Sequence, residues 1–203
     1  MLKQKSDTRT RILKTVWKLM EENRGQGVRM SDIAKAAGVS RQAVYLHFDD
    51  RADLLIATTH YMDEVLGVEK LLEPSRTALD GESRLREFII AMAHHYANIQ
   101  GMAQALLAIK ETDAEARIAW DERMEAIRHG CGAAIDMIES EGRLVQGWTK
   151  DVATDLLWSL LSFESWDRLI NGCDWKNDEY VAHVQRLAEH GFVAGQKDSS
   201  QSA

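Results

Sequence analysis

The chain has 203 residues, of which 45% are hydrophobic and 28% charged, enough apolar material for a core of ordinary size in one domain or two small ones. No run approaches the roughly 18 apolar residues of a membrane helix, and the opening MLKQKSDTRTR lacks the apolar centre of a secretory signal, so a cytoplasmic protein with no membrane partner is expected. The net charge of −7 conceals a split: residues 1–51 carry eleven Lys and Arg against six acids, and the remainder fourteen against twenty-six, which puts a field that attracts phosphate at one end only.

Apolar residues recur at helical spacing along the chain and no sustained alternation of period two occurs, which predicts an all-α fold of about nine helices. Ile12, Leu13, Val16, Trp17 and Met20 mark one face of a first helix, with Ser6 as a candidate cap. Residues 31–37 and 40–48 read as two short helices capped by Ser31 and Ser40, and a fourth helix is expected over 52–66. The segment 73–82, with Pro74 and Gly81, reads as the clearest loop. Leu85, Phe88, Ile89, Met92 and Tyr96 mark the next helix. Thr112 and Glu115 have capping-box spacing for a long one that Gly142 ends. Thr149 and Asn177 are placed to cap two last helices over 149–171 and 177–193, and the polar tail 196–203 reads as disordered. The expected organisation is a helix-turn-helix domain over 1–51, a second helical domain over 52–195, and the tail.

The most informative stretch is 28–48, VRMSDIAKAAGVSRQAVYLHF. Only GlyVal separates its two helices, so the chain must reverse sharply. Gly38 supplies the left-handed backbone that ends the first helix, and Ser40 caps the second. Ile33, Ala34, Ala37, Val39, Val44 and Phe48 then face inward against the first helix, with the alanines allowing close approach. Arg41, Gln42, Tyr45 and Leu46 are left outside. Arg suits guanine O6 and N7, Gln suits adenine N6 and N7, and Tyr reaches phosphate or a thymine methyl, while Ser40 and His47 fit phosphate. Arg51, at the start of the fourth helix, stands where a positive helix terminus and a guanidinium would together attract a phosphate.

DIAKAAGVSRQAVYLHF followed by ArgAlaAspLeuLeu resembles the bacterial tetracycline-repressor (TetR) family of one-component transcription regulators, specifically over residues 7–57. The resemblance implies three N-terminal helices that bind DNA and a fourth that links them to a helical ligand-binding and dimerisation domain. It also implies operator contacts at Ser40, Arg41, Gln42, Tyr45 and His47, with Arg51 at the position where that family usually has a lysine. Arg29 and Met30 stand where the family commonly opens its first motif helix with Ser or Thr. The partners so implied are a double-stranded operator, a second copy of the chain, and a small-molecule effector of unknown identity; the expected action is repression.

Beyond residue 60 the resemblance covers architecture alone. Met92, His95, Tyr96, Met102, Leu106, Trp120, Met124, Trp158 and Phe163 are the bulky, adaptable side chains that could line an effector pocket, and they would serve equally in a plain core. Residues 149–171 and the last helix carry more apolar surface than one core-facing stripe needs. Leu157, Leu160, Leu161, Val181, Val184 and Leu187 are accordingly expected at a dimer interface. No cofactor, metal or enzymatic activity is implied. Cys131 and Cys173 are isolated, His94 with His95 and His183 with His190 have no partners in sequence, and a Cys131–His129–Asp136 grouping rests on proximity alone. A competing reading is a helical small-molecule-binding or interaction protein whose helix-turn-helix is not used on DNA.

Overall fold

The computed structural model describes residues 2–26 and 28–195, so the expected disordered tail 196–203 lies outside the described residues. Among the described residues the fold is all-α, with α-helices α1 Leu2–Glu22, α2 Met30–Ala36, α3 Arg41–Tyr45, α4 Arg51–Leu66, α5 Val68–Arg76, α6 Gly81–Ile109, α7 Ala114–Ser140, α8 Lys150–Leu160, α9 Phe163–Asp167 and α10 Asn177–Phe192. Among the described residues the only extended pairing is an isolated antiparallel bridge between Leu144 and Val193.

Two compact units form, one from Met1–Gly67 with Asn98–Met124 and the other from Val68–Ala97 with Glu125–Ala203. The first unit thus holds α1 to α4 together with Asn98–Met124, and ion pairs join α4 to that stretch: Arg51 to Asp113 and Arg123 to Asp63.

In the first unit Ile12, Leu13, Val16 and Met20 of α1 are buried on one face, opposite Ile33, Ala34 and Ala37, Val44 and Phe48, and Leu54 and Leu55. Ser6 lies inside α1 rather than at its start. Ser31 does not cap α2 either. The helix opens one residue earlier, and the Asp32 carboxylate reaches back to accept from the Arg29 amide at 3.2 Å. The turn 23–26 that follows α1 is seated directly on α6. Gly25 has φ +75°, and a β-carbon there would run into the carbonyl of Ala105, so the position admits glycine for both conformation and space.

In the second unit the expected loop is mostly helix. α5 continues through Pro74 to Arg76, and only 77–80 connects it to α6. Proline removes one backbone donor here, and the helix ends two residues later, so little of the hydrogen-bond ladder is lost. Asp80 then caps α6 by accepting from the Ser83 amide at 2.8 Å. Asp113 takes the capping role predicted for Thr112: its Oδ1 accepts from the amides of Glu115 and Ala116, while the Thr112 hydroxyl turns back to Ile109. α7 runs through Gly130, where a side chain would strike the ring of Phe88, and ends at Gly142 with φ +67°.

The single helix expected over 149–171 is broken at Leu161. The Tyr96 hydroxyl donates to the Leu161 carbonyl at 2.7 Å, and the Ser165 amide, the donor that carbonyl would serve in a continuous helix, goes to the Ser162 hydroxyl at 3.2 Å. α9 restarts there and closes in a π-turn over Arg168–Gly172. Tyr96, Phe163 and Trp166 stack within 5.5–5.9 Å of one another. Asn177 does not cap α10; its side chain accepts from the Trp166 indole at 3.0 Å, and Glu179 reaches back to the Lys176 amide instead.

Candidate nucleic-acid interface

The turn between α2 and α3 is closed by two backbone bonds, from Gly38 N–H to Lys35 and from Val39 N–H to Ala34, with Gly38 at φ +66°. This is a Schellman closure, in which the left-handed residue lets the last carbonyls of α2 find donors. Ser40 then opens α3 by accepting from the Ala43 amide at 3.1 Å. The hydroxyl proton of Ser40 remains available for an acceptor outside the protein. Val39 is half-buried; Ala34, Ala37, Val44 and Phe48 are buried, so α3 has one committed inner face.

The opposite face is open. Ser40, Arg41, Gln42, Tyr45 and Leu46 are exposed, and His47 is half-buried beside Phe48. Arg41 and Tyr45, one turn apart, are already organised together. The guanidinium donates to the Tyr45 hydroxyl at 3.3 Å and lies 5.6 Å from its ring centroid, and this hydrogen bond holds the Arg41 pKa above its ordinary value. A stacked guanidinium keeps its remaining donors pointing outward with less rotamer freedom to lose on binding.

Arg51 is placed differently from this group. Its side chain is only 11% exposed. Nε donates to the Val28 carbonyl at 2.9 Å, and Nη1 donates to both Asp113 oxygens at 2.9 and 2.7 Å and to Glu115 at 3.2 Å. The charge expected to face phosphate is thus engaged by two carboxylates of the same unit.

Residues 12–58 match the family described as "Bacterial regulatory proteins, tetR family". The matched stretch holds α2 and α3 with the adjoining halves of α1 and α4. The chain is 33% identical over 84 residues to the HTH-type transcriptional regulator AcrR of Shigella flexneri, an alignment covering 41% of this chain and 39% of AcrR, so it spans well under half of that relative. Similar folds extend further. NalD, the secondary repressor of the MexAB-OprM multidrug efflux pump in Pseudomonas aeruginosa, superposes with TM-score 0.72 at 24% identity, covering 96% of this chain and all of NalD. FadR of Bacillus subtilis in complex with stearoyl-CoA superposes with TM-score 0.71 at 19% identity, over 90% of this chain and 98% of that one.

The candidate effector residues fall in both units. Met92, His95, Tyr96, Trp158 and Phe163 belong to the second unit, whereas Met102, Leu106, Trp120 and Met124 belong to the first. Tyr96 and Phe163 are fully packed, and the Tyr96 hydroxyl is used to break the helix at Leu161. Periodicity identified these residues as apolar but could not tell which turn of a long helix serves which unit.

The dimer candidates also need correction. Leu157, Leu161 and Val184 are buried within the subunit and have no surface to offer a partner; Leu160 and Val181 are half-buried, and Leu187 is exposed. The outward apolar positions of α8 are Val152 and Leu156, which the stripe of Ala153, Leu157 and Leu161 leaves on the far side. Cys131 is buried, which pushes its thiol up to about 12, while His129 is exposed and Asp136 accepts from Lys150. These three do not form a nucleophilic site.

Sequence reasoning missed Asp113 and Glu115 as partners of Arg51. It also missed a second tie between α4 and α7, in which Arg123 meets Asp63 at 2.5 Å and His60 meets Glu122 at 3.1 Å. Burial raises the Asp63 pKa in spite of Arg123. Acids and bases at such separations leave no local pattern to read.

Proposed function

We propose that the regulator is a ligand-responsive repressor that binds a near-palindromic operator as a dimer and is released by a small-molecule effector. The observation that carries the reading is the open face of α3: Ser40, Arg41, Gln42 and Tyr45 exposed together on a helix whose other side is buried. Donors of this kind on a short helix suit base edges and phosphates of the major groove. One such helix makes few base contacts, and two copies reading half-sites roughly 34–36 Å apart raise selectivity steeply.

The second copy is taken up on the outer faces of α8 and α10, where Val152, Leu156 and Leu187 are 47%, 44% and 60% exposed. An amphipathic or aromatic effector suits the aromatic-rich helices of the second unit, which carry Tyr96, Trp158, Phe163 and Trp166 beside His95. Release requires that the effector prefer a conformation with the two α3 helices wrongly spaced. The cytoplasm is the compartment this role demands, and no helix among the described residues is long and apolar enough to cross a membrane.

Selection of bound sequences from random duplex DNA tests this reading. A palindromic consensus bound with affinity that falls steeply with salt is the expected result. Absence of duplex binding would favour a helical binding protein that does not use its helix-turn-helix on DNA.

A further inference from the structure

We infer that Arg51 is not a phosphate contact in this regulator but a positioning residue, which with Asp113 fixes the start of the helix-turn-helix to the turn between α6 and α7. The inference rests on the proposed DNA-binding role and names the residue that holds the reading helix in register.

Four observations within the first unit converge. Arg51 opens α4, and its two ends are bound to different chain segments: Nε to the Val28 carbonyl, two residues before α2, and Nη1 to Asp113 and Glu115 at the start of α7. Asp113 is itself fixed, because Oδ1 accepts from the Glu115 and Ala116 amides while both oxygens accept from Arg51. The preceding turn is seated on the same structure through Gly25, which meets the Ala105 carbonyl of α6. Finally, the Arg51 side chain is 11% exposed whereas Arg41 is open, so the two guanidinium groups are already separated by burial.

The chemistry favours retention of this pairing. A guanidinium forked between a carbonyl and carboxylates satisfies several donors at once in fixed geometry, which an ammonium cannot reproduce. To reach a phosphate, Arg51 would leave Asp113 and Glu115 with two uncompensated negative charges at the wall of a groove of about 1000 Å³ that Arg41 and Tyr45 also line. Those charges would face the duplex backbone and oppose binding. Paired with Arg51, they are largely neutralised, and their position steadies the chain entering α2.

The two roles predict opposite signs for one substitution. Asp113→Asn keeps an oxygen to cap α7 but removes the charge that holds Arg51. A phosphate-contacting Arg51 would be liberated by it, and duplex affinity would rise. A positioning Arg51 loses its anchor, and affinity falls by about tenfold, although an acid near DNA has been removed. Arg51→Ala is expected to weaken binding similarly, with the dependence of log affinity on log salt unchanged; loss of a phosphate contact would lower that slope by about 0.9 per contact. Arg51→Lys, which restores the residue usual in the family, should not restore affinity, and Arg51→Ala with Asp113→Asn together should cost no more than Arg51→Ala alone.

The experiment is fluorescence anisotropy of the full-length protein on its selected duplex across a salt series, paired with amide hydrogen exchange of the free protein. Asp113→Asn should accelerate exchange in residues 30–34 and 51–55 while leaving α8 and α10 unchanged. Tighter duplex binding by Asp113→Asn, or full affinity in Arg51→Lys with a reduced slope in Arg51→Ala, overturns the positioning role. If wild-type protein binds no duplex, the DNA-binding reading fails, and the exchange measurement still decides whether Arg51 and Asp113 fix the start of α2.

Discussion

Leu156 and Leu157 are neighbours in sequence with opposite fates, and substituting each separates the subunit core from the proposed dimer face. Leu157 is completely buried on the α8 stripe with Ala153 and Leu161, whereas Leu156 is 44% exposed beside Val152. Leu157→Ala removes buried methyl groups and leaves a cavity, a change that costs about 3 kcal/mol, with about 2–5 as the spread for such sites. For a chain of this length each kcal/mol moves the melting temperature by about 2–4 °C, so a loss of about 6–12 °C is expected. Leu156→Glu places a charge on an outward face and should change the stability of the isolated subunit by no more than about 0.5 kcal/mol. In the dimer it buries an unpaired carboxylate, so association should be lost. Thermal melting and sedimentation velocity over a concentration series measure both. The reasoning is refuted if Leu157→Ala melts within about 2 °C of wild type, or if Leu156→Glu sediments as wild type does.

Gly38→Ala meets no neighbouring atom, so its cost of about 1–2 kcal/mol in chemical denaturation comes from the left-handed backbone alone; an unchanged midpoint would mean that the turn relaxes freely. Tyr180→Phe should be neutral or stabilising, because the Tyr180 hydroxyl is buried with no hydrogen-bond partner among the described residues, and a loss above about 1 kcal/mol would reveal a partner for it. A thiol reagent should titrate Cys173 alone in the native protein and both cysteines after denaturation. The same burial sets a pH dependence. The Cys131 thiol rises from 9.0 to about 12 on folding, so the unfolded chain releases that proton first and the contribution of Cys131 to stability falls as pH climbs from 9.0 towards 12; denaturation midpoints that do not fall across this window in wild type relative to Cys131→Ala contradict it.

The parts of this fold that were legible in sequence are those written by neighbouring residues. Gly38 and Ser40 mark the turn because a left-handed backbone and a cap are local requirements, and both are met as read. The inner and outer sides of α3 follow from spacing alone, as do the burial of Val44 and Phe48 and the exposure of Arg41 and Gln42. Caps were less legible: Asp32 and Glu179 reach back to the Arg29 and Lys176 amides, and Asp113, which also accepts from Arg51, takes the place read for Thr112. The break at Leu161 depends on Tyr96, far away in sequence, and Pro74 is carried by a helix already about to end. Arg51 has the same origin of error. Its position suggested phosphate, and only the folded chain brings Asp113 and Glu115 to it.

The most direct test of the α3 reading face is duplex affinity of Arg41→Ala and Tyr45→Ala on the selected operator, with sedimentation confirming that oligomeric state is retained. Both side chains are exposed and contact each other, so folding and dimerisation should be unaffected. A loss of about 1–3 kcal/mol per half-site is expected for Arg41→Ala, with relaxed specificity at the base pair it reads. Operator affinity and sequence preference unchanged in both variants would contradict the assignment of Ser40 to His47 as the surface that meets DNA.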